Sequence, residues 1–167
     1  HRVMSDLSRK SGETVNLYVR AHTSRVCVAQ QEGTRNLRHV VRVGDELPLW
    51  AGAAGAVLLT EADDALLERV AATSPRGLEL LDELRSRIAT ARQAGYAVSH
   101  GERELGASGV CAPVFDGGGH VLAALGVGGP TARFTPERVA TLSTAVIAAA
   151  RSMSRLDLGE SMSGADG

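Results

Sequence analysis

Lysine is almost absent from this chain: Lys10 stands alone among 18 basic side chains, the others being arginine. Schiff-base and other lysine-centred covalent chemistry therefore has no support here. Cysteine is nearly as scarce, with Cys27 and Cys111 only, each inside a run of β-branched or small residues. Two such residues make no disulfide framework and no Cys-x-x-Cys site, and they fit buried thiols in a reducing cytoplasm. The longest apolar stretches, such as 51–59 and 146–150, fall far short of the roughly 18 residues of a membrane span. Neither sign of charge is in excess: 18 basic residues face 19 acidic ones, for a net charge of −1. Scattered charge offers no cationic stripe for phosphates, so these residues are not expected to grip nucleic acid by themselves. The sequence also contains no Gly-x-Ser-x-Gly elbow, no phosphate loop with its lysine and no His-Glu-x-x-His.

What is present reads as one ordinary domain. Its 167 residues are 44% hydrophobic, and a domain of about this size buries roughly 70% of the surface of its unfolded chain. The opening His1-Arg2-Val3-Met4 has the character of a cut inside a longer protein. Residues 1–158 are expected to form the domain, and the Gly, Ser and Met tail 159–167 to be frayed.

Val3, Met4 and Leu7 at helical spacing, closed by Ser11-Gly12, predict a first helix. Alternation over residues 15–20 predicts a strand, 25–30 its hairpin partner, and 37–43 a further strand ended by Gly44-Asp45. Beyond Pro48 the small apolar stretch and residues 61–73 read as two helices, and 78–94 as a third, with Gly95 at its C-cap. Strands at 109–115 and 121–128 flank Asp116-Gly117-Gly118-Gly119, a hairpin turn signal. Gly129-Pro130 should break the chain there, and Thr135 should cap a last helix with Pro136 at its first position. The order is α+β, an antiparallel sheet covered by helices.

Few residues carry chemistry. His22 and His120 fall in turns and His100 in a loop, none at metal-cluster spacing, so solvated or structural roles are expected. Cys111 is the one residue to weigh as a nucleophile, but its apolar strand supplies no neighbouring base, and a small pocket or core role is expected. The stretch from Trp50 to Ala56 opens a helix with almost no side chains. It could present backbone N–H groups to an anion, or its small residues could let the helix pack closely on the sheet; composition alone leaves both open. Glycines at 109, 126 and 128 stand inside strands, where glycine costs stability and marks close approach by a ligand or another backbone. Gly126 and Gly128 share a face by the period of two.

Taken together, Gly12-Glu13-Thr14-Val15-Asn16-Leu17, Gly44 before Leu47-Pro48-Leu49, Ala54-Gly55, Gly95-Tyr96 with Glu102 and Gly106, Ala112-Pro113-Val114-Phe115-Asp116 and Gly129-Pro130 resemble the effector-binding domain of IclR-type bacterial transcriptional regulators. The likeness covers roughly residues 2–155. It implies a GAF-like fold with a small-molecule pocket on one face of the sheet, no cofactor, and a dimer or tetramer. It also implies that DNA is read by a winged helix-turn-helix preceding such a domain, which these residues do not contain.

The resemblance places the pocket at Ala53 and Ala54, at Gly109, at Gly126 and Gly128, and at Ser99 and His39. With the neighbours Leu47, Trp50, Gly52 and Cys111, these form the candidate ligand-binding set. Several relatives carry a polar or thiol side chain at the position of Gly109, serines at Gly126 and Gly128, a histidine at Trp50 and a lysine at Ala56. Their replacement here predicts a wider cavity with fewer hydroxyls, suited to a bulkier, partly apolar organic acid. Two other functions compete: a GAF-superfamily enzyme using a reactive cysteine, and an oligomerisation module with a vestigial pocket. Self-association is expected through apolar strand edges and through the short side chains Ala140, Thr144, Ala145 and Ala148 of the last helix.

Overall fold

In the computed structural model, residues 2–34 and 41–156 are described. Helix α1 (Arg2–Ser11) leads into the hairpin β1 (Thr14–Ala21) and β2 (Ser24–Gln31), then the short strand β3 (Glu46–Pro48). Helices α2 (Ala53–Leu58), α3 (Asp64–Ala72) and α4 (Leu81–Ala94) follow, the last preceded by a 3-10 turn at Gly77–Leu80. Strands β4 (Ala97–His100), β5 (Ala107–Phe115) and β6 (Val121–Pro130) come next, and α5 (Pro136–Arg155) closes the described chain. The strands make one six-stranded sheet in the order β3-β2-β1-β6-β5-β4, with every neighbouring pair antiparallel.

Local signals explain where the elements stop. Asp63 accepts the Leu66 N–H at 2.8 Å to start α3, and Thr135 accepts the Arg138 N–H at 3.2 Å to start α5, with Pro136 in the first turn. Gly95 ends α4 at φ +81, the left-handed region that glycine enters without strain.

Alternation sorts the strands into two faces. Val15, Val110, Leu125 and Val127 pack with Met4 and Leu7 of α1 and with Leu142, Val146, Ala150 and Met153 of α5. On the opposite face, Tyr18, Cys27, Cys111 and Ala124 meet Ala53 and Ala54 of α2, Leu66 and Val70 of α3, and Leu84 and Ile88 of α4. Each fully buried aliphatic side chain here contributes on the order of 2 kcal/mol. The helices therefore cover both faces, as the alternating pattern requires.

The structure differs from the sequence expectation in its strands. His100 is the last residue of β4, a strand that was not expected, and β3 was missed as well. The strand expected at 37–43 falls largely outside the described residues, and 41–43 are not strand. Gly129-Pro130 does not break the chain: β6 runs through Pro130, pairing Ser108 with Gly129 and Ala107 with Pro130. The tail expected at 159–167 lies outside the described residues.

Candidate functional site

On the α2 side of the sheet the central strands lose their side chains. Gly109 pairs with Gly128 and Cys111 with Gly126 across β5 and β6, while Asn16 of β1 pairs with Gly126. Between this floor and the start of α2 lies a small cavity of about 80 Å³, open at its mouth and lined also by Ala53, Ala54 and Ser99. The glycines are not equivalent. A Cβ on Gly128 would find only the Ser108 carbonyl oxygen, at 3.7 Å, and one on Gly109 only Ser99 Oγ and the Val127 carbonyl, both at 3.6 Å. A Cβ on Gly126 would overlap Cys111 Sγ and lie 2.7 Å from the Val110 carbonyl oxygen. Cys111 therefore already fills the space above Gly126, so a larger side chain there would meet the core, and Gly128 is the open position.

The walls are polar at one end. Arg25 of β2 is 4% exposed yet lines the cavity. Its Nη1 donates to the carbonyls of Pro48 (2.5 Å) and Ala51 (2.7 Å), its guanidinium lies 5.2 Å from the centre of the Tyr18 ring, and its Nε–H has no acceptor. Burial lowers the Arg25 pKa, although the neighbouring Tyr18 opposes the shift. Burial likewise pushes the Tyr18 phenol up to about 12, against the pull of Arg25. Asn16 Nδ2 donates to Tyr18 Oη at 3.2 Å, and its Oδ1 accepts from Gln30 Nε2 at 2.8 Å. Ser108 Oγ donates to Thr131 Oγ1 at 2.9 Å and lies 2.7 Å from His100 Nδ1, so the serine and histidine are held together beside the floor. Arg103, in the loop after β4, also lines the cavity and pairs with Glu104 at 3.5 Å.

Helix α2 contributes less anion-binding capacity than its sequence suggested. Ala53 and Ala54 do sit in its first turn, where N–H groups have no partner within a helix. The Gly52 N–H is already taken by Glu102 Oε1 at 3.2 Å, and Glu102 also pairs with Arg87 at 3.2 Å. Gly55 supports the close-packing alternative, because a Cβ there would overlap the Leu49 carbonyl.

Of the expected ligand-binding residues, Gly52, Ala53, Ala54, Ser99, Gly109, Cys111, Gly126 and Gly128 meet around this cavity. Leu47 and Trp50 instead line a separate depression with Thr23 and Pro48, and His39 lies outside the described residues. Arg25, Asn16, Tyr18 and Arg103 were not anticipated. Alternation offered the signal for Arg25, since it shares a strand face with the core residue Cys27. Cys111 makes a poor nucleophile: burial pushes its thiol up to about 12, against a smaller opposing pull from Arg25. Among the described residues no three His, Cys, Asp or Glu side chains could hold a metal ion, and no helix is long and apolar enough to cross a membrane.

The family model of the bacterial transcriptional regulator IclR C-terminal domain matches residues 1–155. The chain belongs to this family. The HTH-type transcriptional repressors AllR of Klebsiella pneumoniae and Escherichia coli K12 are 32% and 31% identical to it, each over 90% of this chain and 58% of their own length. The chain thus spans little more than half of these curated relatives. An IclR-family transcriptional regulator from Rhodococcus sp. superposes with a TM-score of 0.89 at 48% identity, over 93% of this chain and 61% of that one. The Thermotoga maritima IclR superposes at 0.82 with 26% identity, over 93% and 65%. The α+β sheet is therefore the GAF-like fold of the IclR C-terminal domain. Membership makes this an effector-binding regulator domain and not an enzyme, so the cysteine-enzyme alternative falls, as the burial of Cys111 would also argue.

Proposed function

We propose that this IclR C-terminal domain senses a small organic acid in the cavity between α2 and the glycine floor, and that it joins copies of its regulator into a dimer or tetramer. Binding shifts the regulator between repressing and non-repressing, or activating and non-activating, states. DNA is contacted by a winged helix-turn-helix outside these residues, in the cytoplasm. The observation that carries the reading is a cavity with open floor positions at Gly109 and Gly128 and hydrogen-bonding and cationic groups on its wall. A closed core would fill such space, and sites for small molecules are concave with a few convergent polar groups. The open floor supports an acid with a body larger than a keto acid.

The experiment is a thermal-shift screen of carboxylic acids against this domain and its Gly128→Leu variant. An acid at about 100 times its Kd should stabilise the native domain by about 2.7 kcal/mol. Gly128→Leu, whose side chain enters open space, should melt as the native domain does without ligand and lose the response. An oligomerisation module with a vestigial pocket predicts no stabilisation by any acid.

A further inference from the structure

We propose that Arg25 is the anion anchor of this cavity: the effector's carboxylate neutralises its buried guanidinium, and the rest of the ligand lies over Gly128 and Gly109. This rests on the effector-pocket reading above and adds the group that selects for charge.

Three observations converge on it. A guanidinium that is 4% exposed has left water, and a charge so placed is costly unless an opposite charge compensates it. No carboxylate does so among the described residues: Arg25 forms no ion pair, and its Nη1 bonds go to the Pro48 and Ala51 carbonyls, which carry no net charge. One donor, the Nε–H, is buried without any acceptor. The nearby carboxylates are committed elsewhere, Glu102 to Arg87 and the Gly52 N–H, and Glu104 to Arg103. Arg103 reaches the same cavity with its counter-charge beside it, whereas Arg25 arrives without one.

A purely structural role accounts for only part of this. Holding the β3–α2 connection uses Nη1 and would be met by any donor of the right reach. It gives no reason for a delocalised cation at the cavity wall without a counter-charge among the described residues. Carboxylate recognition does, because the planar guanidinium presents further N–H donors beside those already used and pairs with carboxylates in a fixed geometry. The face of Tyr18 beneath the guanidinium further stabilises the cation.

The test compares each acid with its neutral amide, using phenylacetate with phenylacetamide, 4-hydroxybenzoate with its amide, and pyruvate with pyruvamide. Calorimetry is run on the native domain and on Arg25→Gln, Arg25→Lys, Arg103→Gln and Gly128→Leu. The native domain should prefer the best acid to its amide at least tenfold. In Arg25→Gln that acid should bind on the order of 10- to 100-fold more weakly and the preference over the amide should vanish, while in Arg103→Gln the preference should survive. Should Arg25→Gln fail to fold for want of a donor to Pro48 and Ala51, Arg25→Lys carries the test: it keeps the charge but not the planar fork, so the preference persists at reduced affinity. Native affinity in Arg25→Lys, a preference surviving in folded Arg25→Gln, or one that disappears with Arg103→Gln overturns the anchor. If Gly128→Leu blocks the acid and Arg25→Gln does not, the pocket stands and the anchor falls. If Arg25→Gln abolishes binding that Gly128→Leu leaves intact, the anchor stands and the placement over the floor falls. Absence of acid binding to the native domain overturns both.

Discussion

At the scale of single residues, side-chain volume at three small positions separates open cavity from packed core. Gly55 and Gly126 are glycines because a neighbour already occupies their Cβ positions, Leu49 backbone in one case and Cys111 with Val110 backbone in the other. Gly55→Ala should therefore lower stability by about 1 to 3 kcal/mol in chemical denaturation, and Gly126→Ala by a similar amount. Gly128→Ala should leave it unchanged within about 0.5 kcal/mol. The thiols give a second residue-level test. Burial raises both cysteine pKa values, that of Cys111 to about 12. Neither should react with a disulfide reagent at pH 8 in the native state, and both should in denaturant. A thiol whose folded pKa exceeds its unfolded one favours the folded state at pH values below the unfolded pKa. That contribution should decline as pH rises from about 8.5 toward 12.

At the scale of elements, what could be read from sequence followed the strength of local signals. The first hairpin, the Asp-Gly-Gly-Gly hairpin of β5 and β6, and α5 with Thr135 and Pro136 at its start all carry their turn or cap chemistry within a few residues. Thr135→Ala should accordingly cost about 1 kcal/mol, read as a shift of the denaturation midpoint with an unchanged slope. Strands β3 and β4 are three and four residues long and lie at the two sheet edges. Such short runs carry almost no periodicity, and they become strands only when β2 and β5 offer them partners. The site was legible where it depends on the backbone, at the strand glycines and the start of α2. It was not legible where it depends on residues far apart in sequence: Arg25, Tyr18 and Arg103 meet only through the sheet. Arg25 was hidden for a further reason, because a charged residue on a core-facing register reads as a surface residue when motif chemistry is the only guide.

For the whole molecule, the sheet edges bear on assembly. Apolar edges were expected to drive self-association, yet β3 ends at Pro48, which lacks an N–H, and β4 is short, so both are poor templates for edge pairing. The second expected surface suits association better: Ala140, Thr144 and Ala148 are exposed on α5, with Ala145 half-buried beside them. Light scattering at tens of micromolar should give a mass above that of one chain, and Ala148→Arg should return it to the monomer; a monomeric native domain would contradict the proposed assembly. With a net charge of −1, the domain alone should not bind duplex DNA below micromolar concentrations in 150 mM salt.

The central claim, that an organic acid occupies the space over Gly109 and Gly128, is tested most directly by a crystal structure of the domain grown with the acid that raises its melting temperature most. The account predicts ligand density between α2 and the strands β5 and β6, with a carboxylate oxygen within about 3 Å of the Arg25 guanidinium. Density in the neighbouring groove lined by Ser86, Thr90 and Tyr96, with the cavity over the glycines empty, would contradict it.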